Sequence, residues 1–251
     1  MKTLVVGYGE VGRAHFNILS KAYPGDVYYK DKDEQIFDSQ DRHWFPNGKS
    51  FDLMLVAMQC DPKNMQPFID AVVAYDKQFG PAIIDVLTTT PCGTIERIQE
   101  DIVAEVNKSS VRGMHPHLDK FLLDIPKHIG GPSTPELRAY YEGAGITCVT
   151  HKKARTVEIC HILNNFTYGV NIMAADECAK YCREYGVDYM EFLKYRESNN
   201  AGFIKSGFPS KVSPILYPSG GNIGGHCVKY APTTIPDNIK GPLAKMLQDH
   251  K

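Results

Sequence analysis

The sequence predicts an α/β protein: a doubly wound parallel sheet followed by a smaller, mainly helical domain with one long central helix. Three observations predict it. Short apolar runs alternate with amphipathic stretches through the first half of the chain, the pattern of strands joined by crossover helices. Glycines cluster where the first apolar run ends and the first amphipathic stretch begins. From Ala154 to Tyr185 the chain then holds no proline and a single glycine, Gly169, which suits one long helix.

The elements follow in order. Thr3–Gly7 (TLVVG) reads as a buried strand, and Gly12–Lys21 has the apolar spacing of a helix. Asp26–Asp31 (DVYYKD) is a second strand and Phe51–Ala57 (FDLMLVA) a third, with a helix near Asn64–Gln78. Ala82–Leu87 (AIIDVL) is a fourth strand, Gly93–Val106 a helix, and Ser110–Met114 a fifth strand. A further strand–helix unit spans about Pro126 to Cys148. The long helix ends at Gly186, a residue suited to a helix C-terminus. Val187–Ser198 is a second helix, Ala201–Gly225 is mostly loop, and Asp237–His250 holds a short terminal helix. The expected division is 1–149 for the sheet domain and 150–251 for the helical one.

Composition excludes several function classes. The chain has 251 residues, 28 basic against 29 acidic side chains and a net charge of −1, so no basic excess points to nucleic acid. No apolar run approaches the roughly 18 residues a membrane span needs, and the N-terminus carries no signal-peptide pattern. Seven scattered cysteines do not form a disulfide framework, which suggests reduced thiols and a cytoplasmic setting. Cys178 and Cys182 read as packing residues on the long helix.

Gly7-Tyr8-Gly9-Glu10-Val11-Gly12 is a GxGxxG motif placed directly between a strand and a helix. In that context Gly7 permits the tight turn, Gly9 lets backbone approach a pyrophosphate, and Gly12 lets helix and strand pack closely. The pyrophosphate then sits on the positive end of the helix. Asp31 closes the second strand, where a carboxylate accepts hydrogen bonds from ribose hydroxyls and repels a 2′-phosphate. The first domain is therefore expected to be a Rossmann domain binding NAD in preference to NADP, a preference softened by Lys30 and Lys32.

Further segments, in order, resemble the nucleotide-sugar 6-dehydrogenase family of UDP-glucose, GDP-mannose and UDP-N-acetylmannosamine dehydrogenases. Leu87-Thr88-Thr89-Thr90-Pro91-Cys92-Gly93-Thr94 is similar to the family's STVPPGT loop beside the nicotinamide. His115-Pro116-His117 through Gly130-Gly131 follows its PEFLREG and NPxRxVxGG segments. Glu158, His161, Asn165 and Asp176-Glu177 fall at the spacing of its central-helix ExxKxxxN…NE pattern. Gly224-Gly225-His226-Cys227 resembles the loop carrying its catalytic cysteine. The family oxidises a primary alcohol twice, through a thioester on that cysteine. The resemblance implies an NAD-dependent oxidoreductase acting on an alcohol or aldehyde of a small polar substrate, such as a sugar or sugar nucleotide. It makes Cys227 the nucleophile, Asn165 the polar positioner, and Thr88 and Thr89 cofactor neighbours. It also implies a homodimer through the central helix.

The sequence departs from the family at three positions. His161 replaces the lysine, His117 the glutamate, and Ala231 the aspartate after the cysteine. The chain has no room for the family's third domain, so a smaller substrate or a partner subunit is expected. Two-electron chemistry of the hydroxy-acid or prephenate type needs only bound cofactor and an acid or base, a role open to His161. A non-catalytic NAD-binding module is the third reading. His115 and His117 flank a proline at a strand end and are candidates for substrate contact. No metal is expected, because only those two have compact ligand spacing.

Overall fold

The computed structural model describes residues 1–32, 50–114, 116–220, 223 and 226–249. Two compact units divide the chain, Met1–His161 and Ile162–Lys251.

The first unit holds a seven-stranded sheet among the described residues, made of β1 (Thr3–Val6), β2 (Val27–Lys30), β3 (Leu53–Val56), β4 (Ile83–Val86), β5 (Glu105–Ser109), β6 (Lys127–Gly130) and β7 (Cys148–His151). The strand order is β2-β1-β3-β4-β5-β6-β7, so the chain reverses direction across the sheet between β1 and β3. Such a reversal opens a crevice at the carboxyl ends of the strands. Apolar runs buried on both faces, as in β1 and β3, form the middle of the sheet. Helices α1 (Glu10–Ala22), α2 (Gln66–Phe79), α3 (Thr94–Asp101), α4 (Leu118–Asp124) and α5 (Thr134–Gly143) cover it.

Two apolar cores flank the sheet. One joins Leu4, Val6, Met54, Val56 and Ile84 to Ile69 and Val72 of α2 and Ile98 of α3. The other joins Val5, Leu53 and Leu55 to Leu19 of α1 and to Leu137 and Tyr141 of α5. Each fully buried aliphatic side chain contributes about 1.5–3 kcal/mol.

Three expectations from sequence are corrected. The fifth strand is Glu105–Ser109, not Ser110–Met114, and the helix expected to reach Val106 ends at Asp101. The strand's own sequence, EVNKS, offers no apolar run to reveal it. The sheet is not wholly parallel: β6 runs antiparallel to β5, and β7 parallel to β6. Ala201–Lys205, expected to be loop, completes a helix.

In the second unit, the long helix α6 (Ala154–Glu184), which starts in the first unit, continues and is followed by α7 (Tyr189–Lys205), α8 (His226–Tyr230) and α9 (Pro242–Asp249). Gly186 adopts φ +66° and closes α6: its N–H donates to Arg183 and that of Val187 to Cys182. Gly169 is required by packing, since a Cβ there would lie 2.7 Å from Leu247 and 2.8 Å from Val228. Side chains of α6 and α7 hold the irregular segment before α8. Asn200 pairs with both backbone groups of Ser213 at 2.8 Å, Tyr189 donates to Leu216, and Asp176 accepts the N–H and hydroxyl of Ser219.

Candidate functional site

The crevice beside β1 is a cavity of about 530 Å³ lined by Gly7, Gly9, Asp31, Met58, Phe68 and Tyr75, among others. It brings together three of the residues singled out from sequence. Gly7 adopts φ +90°, and a Cβ there would sit 2.8 Å from the backbone of Ala57, just past the neighbouring strand β3. Gly12 is still tighter, because its Cβ would fall 1.9 Å from the Gly7 carbonyl oxygen. Gly9 differs from both: its φ is −66° and an added Cβ would meet nothing within 4 Å. Protein packing thus accounts for Gly7 and Gly12 but not for Gly9, which faces open space at the N-terminus of α1.

Asp31 is held in place by its neighbours. Its carboxylate accepts the N–H of Tyr8. The Tyr8 ring stacks on Tyr29 with centroids 3.7 Å apart and meets Phe16 edge-on at 5.5 Å. Tyr8 therefore anchors the turn, while Val11 packs toward both α1-side apolar clusters and Glu10 opens the first turn of the helix. On the far wall Pro67, Ala71 and Tyr75 recur at four-residue spacing along α2, presenting one face. Burial and the Asp31 carboxylate raise the Tyr75 phenol above its ordinary range.

The Thr88–Thr94 loop leaves the carboxyl end of β4, and Thr88 donates its hydroxyl to the Met58 carbonyl; Thr89 is half-buried beside it. Glu158 clamps this loop from α6. One oxygen accepts the Thr90 hydroxyl at 3.1 Å and the Ile95 N–H at 3.2 Å, and the other accepts the Gly93 N–H at 2.9 Å. Gly93 has no side chain to cap α3, so a carboxylate from a distant helix satisfies its first amides. Burial raises the Glu158 carboxyl, opposed by those amide bonds and by Lys108.

A buried polar cluster lies along β4, β5 and β6. Asp85 accepts the hydroxyls of Ser109 at 2.7 Å and Tyr141 at 2.6 Å. Lys108 donates to the carbonyls of Val86 at 3.1 Å and Ser109 at 2.8 Å. Burial pushes Lys108 and Lys127 down to about 8 each, and Asp85 partly restores them. His15 donates Nδ1–H to the Val11 carbonyl, leaving Nε2 to accept from Lys127 at 3.0 Å. Burial and Lys127 hold that imidazole neutral.

His161 is 7% exposed, and its Nδ1 has no partner among the described residues. Burial, then Lys108, Arg112 and Lys127, push it down to about 3. The imidazole is thus neutral near pH 7. His117 is exposed at the start of α4, and its side chain makes no capping bond. His115, Gly224 and Gly225 lie outside the described residues. Cys227 falls in α8, with its side chain outside what is described. Asn165 lies in the second unit, with a buried Nδ2 that has no partner among the described residues. No described cluster of histidine, cysteine and carboxylate side chains could hold a metal ion. No described helix is long and apolar enough to cross a membrane.

Sequence reasoning missed Lys108, Lys127 and the α2 wall of the cavity, and named Glu158 only as part of a pattern. Polar residues inside EVNKS and KHIG carry no periodic signal. For the α2 wall a signal was present, in the spacing of Pro67, Ala71 and Tyr75.

No protein-family model and no curated protein matches the sequence. Solved structures do share the fold. A UDP-D-ManNAc dehydrogenase from Pyrococcus horikoshii aligns with TM-score 0.80 and 18% identity, over 99% of this chain and 67% of its own. A UDP-glucose dehydrogenase from Pyrobaculum islandicum aligns with TM-score 0.75 and 17% identity, over 98% and 67%. The 3-hydroxyisobutyrate dehydrogenase of Mycobacterium tuberculosis aligns with TM-score 0.69 and 14% identity, over 99% of this chain and 92% of its own. The chain thus has the fold of the first two thirds of the former pair and of nearly all of the latter.

Proposed function

We propose that this chain is an NAD-dependent oxidoreductase acting on an alcohol or aldehyde carbon of a small polar substrate, a sugar or sugar nucleotide among them. The observation that carries the reading is Gly9. It is a glycine that neither backbone conformation nor packing demands, at the mouth of a cavity with a fixed carboxylate. A dinucleotide fits this donor set: the Gly7–Gly12 turn and the start of α1 meet a pyrophosphate, and Asp31 accepts ribose hydroxyls, which favours NAD. The cofactor supplies a hydride acceptor when bound. His161, buried and with its Nδ1 uncommitted, is the residue we assign to exchange the proton of the substrate hydroxyl as that carbon is oxidised. Glu158 holds the Thr88–Thr94 loop in register beside the strand ends.

Asn165 and Cys227 remain site candidates through the resemblance alone, and single substitutions test them. A homodimer is proposed through the central helix, where Leu163, Tyr168 and Tyr181 are exposed. A cytoplasmic setting is proposed from the composition.

A second reading is two-electron chemistry of the hydroxy-acid type. One observation favours it: the alignment covers 99% of this chain and 92% of a 3-hydroxyisobutyrate dehydrogenase. The test is fluorescence titration with NADH and NADPH, then turnover of sugar nucleotides and hydroxy acids with NAD. Tight NADH binding with no turnover on the panel would leave the chain a cofactor-binding module. Full activity of a Cys227→Ser enzyme would select the two-electron reading.

A further inference from the structure

We propose that Asp176 and Gly169 are positioning residues for Cys227: a latch and a seat on α6 that together fix the place of α8, the five-residue helix carrying that cysteine. The inference rests on the reading of Cys227 and Asn165 as site residues. Asn165, Gly169, Ile172 and Asp176 follow one another at steps of four, three and four residues, so they share one face of α6. Two contacts hold the later chain on that face. Asp176 accepts the Ser219 N–H and the Ser219 hydroxyl, each at 2.6 Å. A Cβ at Gly169 would lie 2.8 Å from Val228, the residue after Cys227. Ile223, between those two points, joins Val228 and Leu247 in a buried cluster packed with Phe166, Ile172 and Met173. The chain from Ser219 to Val228 therefore returns along α6 from Asp176 to Gly169. Asn165 lies one turn beyond Gly169 in the same direction, with a buried Nδ2 that has no partner among the described residues.

The lengths involved make both contacts necessary. Nine chain positions separate Ser219 from Val228, and extended they would span about 30 Å. Seven positions of helix separate Gly169 from Asp176, a rise of about 10 Å. The chain between the two contacts is therefore slack, and its length alone does not place α8. A helix of five residues has little stability of its own to do so. Each of the two residues is also a poor choice for α6 considered by itself. Glycine inside a helix is destabilising relative to alanine, and here the absent methyl group is the space that Val228 and Leu247 fill. Asp176 is 5% exposed, and a buried carboxylate is costly unless it is hydrogen-bonded. Ser219 supplies two charge-assisted bonds to it. Upstream, side chains of α7 hold the chain at Ser213, Pro214 and Leu216. Asp176 adds a further fixed point at Ser219, eight positions before Cys227.

The experiment is amide hydrogen exchange of the full chain read by mass spectrometry over the stretch 226–234. Asp176→Ala is expected to speed exchange there about tenfold while β1 to β4 exchange as in wild type. Asp176→Asn keeps an acceptor for the Ser219 N–H and a donor for its hydroxyl oxygen, and is expected to stay within about threefold of wild type. Should Asp176→Ala not fold, Ser219→Ala removes one arm of the latch and is expected to speed exchange about threefold. In turnover with NAD, Asp176→Ala is expected to lower kcat about tenfold with KM for NAD unchanged, and Asp176→Asn to restore it. Unchanged exchange over 226–234 in a folded Asp176→Ala protein, or in Ser219→Ala where the former does not fold, overturns the inference. So does faster exchange with an unaltered kcat, which would leave Asp176 a support of the fold alone. Exchange needs no turnover, so it decides the placement of α8 even if the dehydrogenase reading fails on the substrate panel.

Discussion

Two glycine-rich strand ends lie in the first unit, and the space for one methyl group distinguishes them. At Gly9, after β1, an added Cβ meets nothing within 4 Å. At Gly130 and Gly131, where β6 ends, it meets the Lys153 carbonyl oxygen at 2.5 Å and the Asn107 side-chain oxygen at 2.4 Å respectively. Gly131 also adopts φ +136°, a conformation L-residues avoid. The second pair is glycine because the protein itself fills the space. The first is glycine although the protein leaves the space open, which is what a ligand pressed against backbone requires. A glycine motif therefore has two unlike meanings, and the neighbours of the absent Cβ separate them.

Substitutions can break or sharpen that comparison. The largest effect is expected at the packed glycines. Gly12→Ala places a methyl group against main chain and should destabilise by about 3 kcal/mol, with Gly131→Ala at about 2 kcal/mol, both read by urea unfolding. Next comes Glu158→Ala, which leaves the Gly93 and Ile95 amides without their acceptor and should cost about 2 kcal/mol. Gly9→Ala should change stability by less than about 0.5 kcal/mol yet weaken NADH binding about tenfold in a fluorescence titration. If it destabilises as much as Gly131→Ala, the contrast fails.

The smallest effect near neutrality is on pH dependence. His161 has its folded-state midpoint lowered to about 3, so the unfolded chain takes up the proton first as pH falls below 6.5. Stability is expected to fall from pH 6.5 downward and to level off only near pH 3. His15 acts in the same direction. His161→Asn should reduce the slope by up to one proton in unfolding curves measured from pH 7 to pH 5.

The regions around β1 and β5 also differ in how far sequence reveals them. Around β1 every signal agrees: a buried apolar run, the spaced glycines, an amphipathic helix and an acidic residue at the end of the next strand. The Gly7–Asp31 half of the cavity was legible for that reason. Around β5 the signals fail. EVNKS has one apolar residue in five positions, yet Val106, Asn107, Lys108 and Ser109 are all buried. Its polar groups are tolerated because Asp85, the Val86 carbonyl and Ser133 meet them, and those partners come from distant points in the sequence. The same misplacement hid Lys108, which sits on the strand that periodicity placed five residues too late.

By itself, then, the sequence determined the alternating strand–helix plan, the dinucleotide-type turn and the long helix with its stop at Gly186. These are local matters, set by hydrophobic period, φ preference and helix-end chemistry. Only the tertiary structure decided that β6 turns antiparallel, that Glu158 caps a helix far along the chain, and that Gly9 stands open where Gly12 does not. It alone set His161 among three cations. Each of these depends on which distant groups share a desolvated space, and burial multiplies electrostatic effects that no pattern of residues along a line can express.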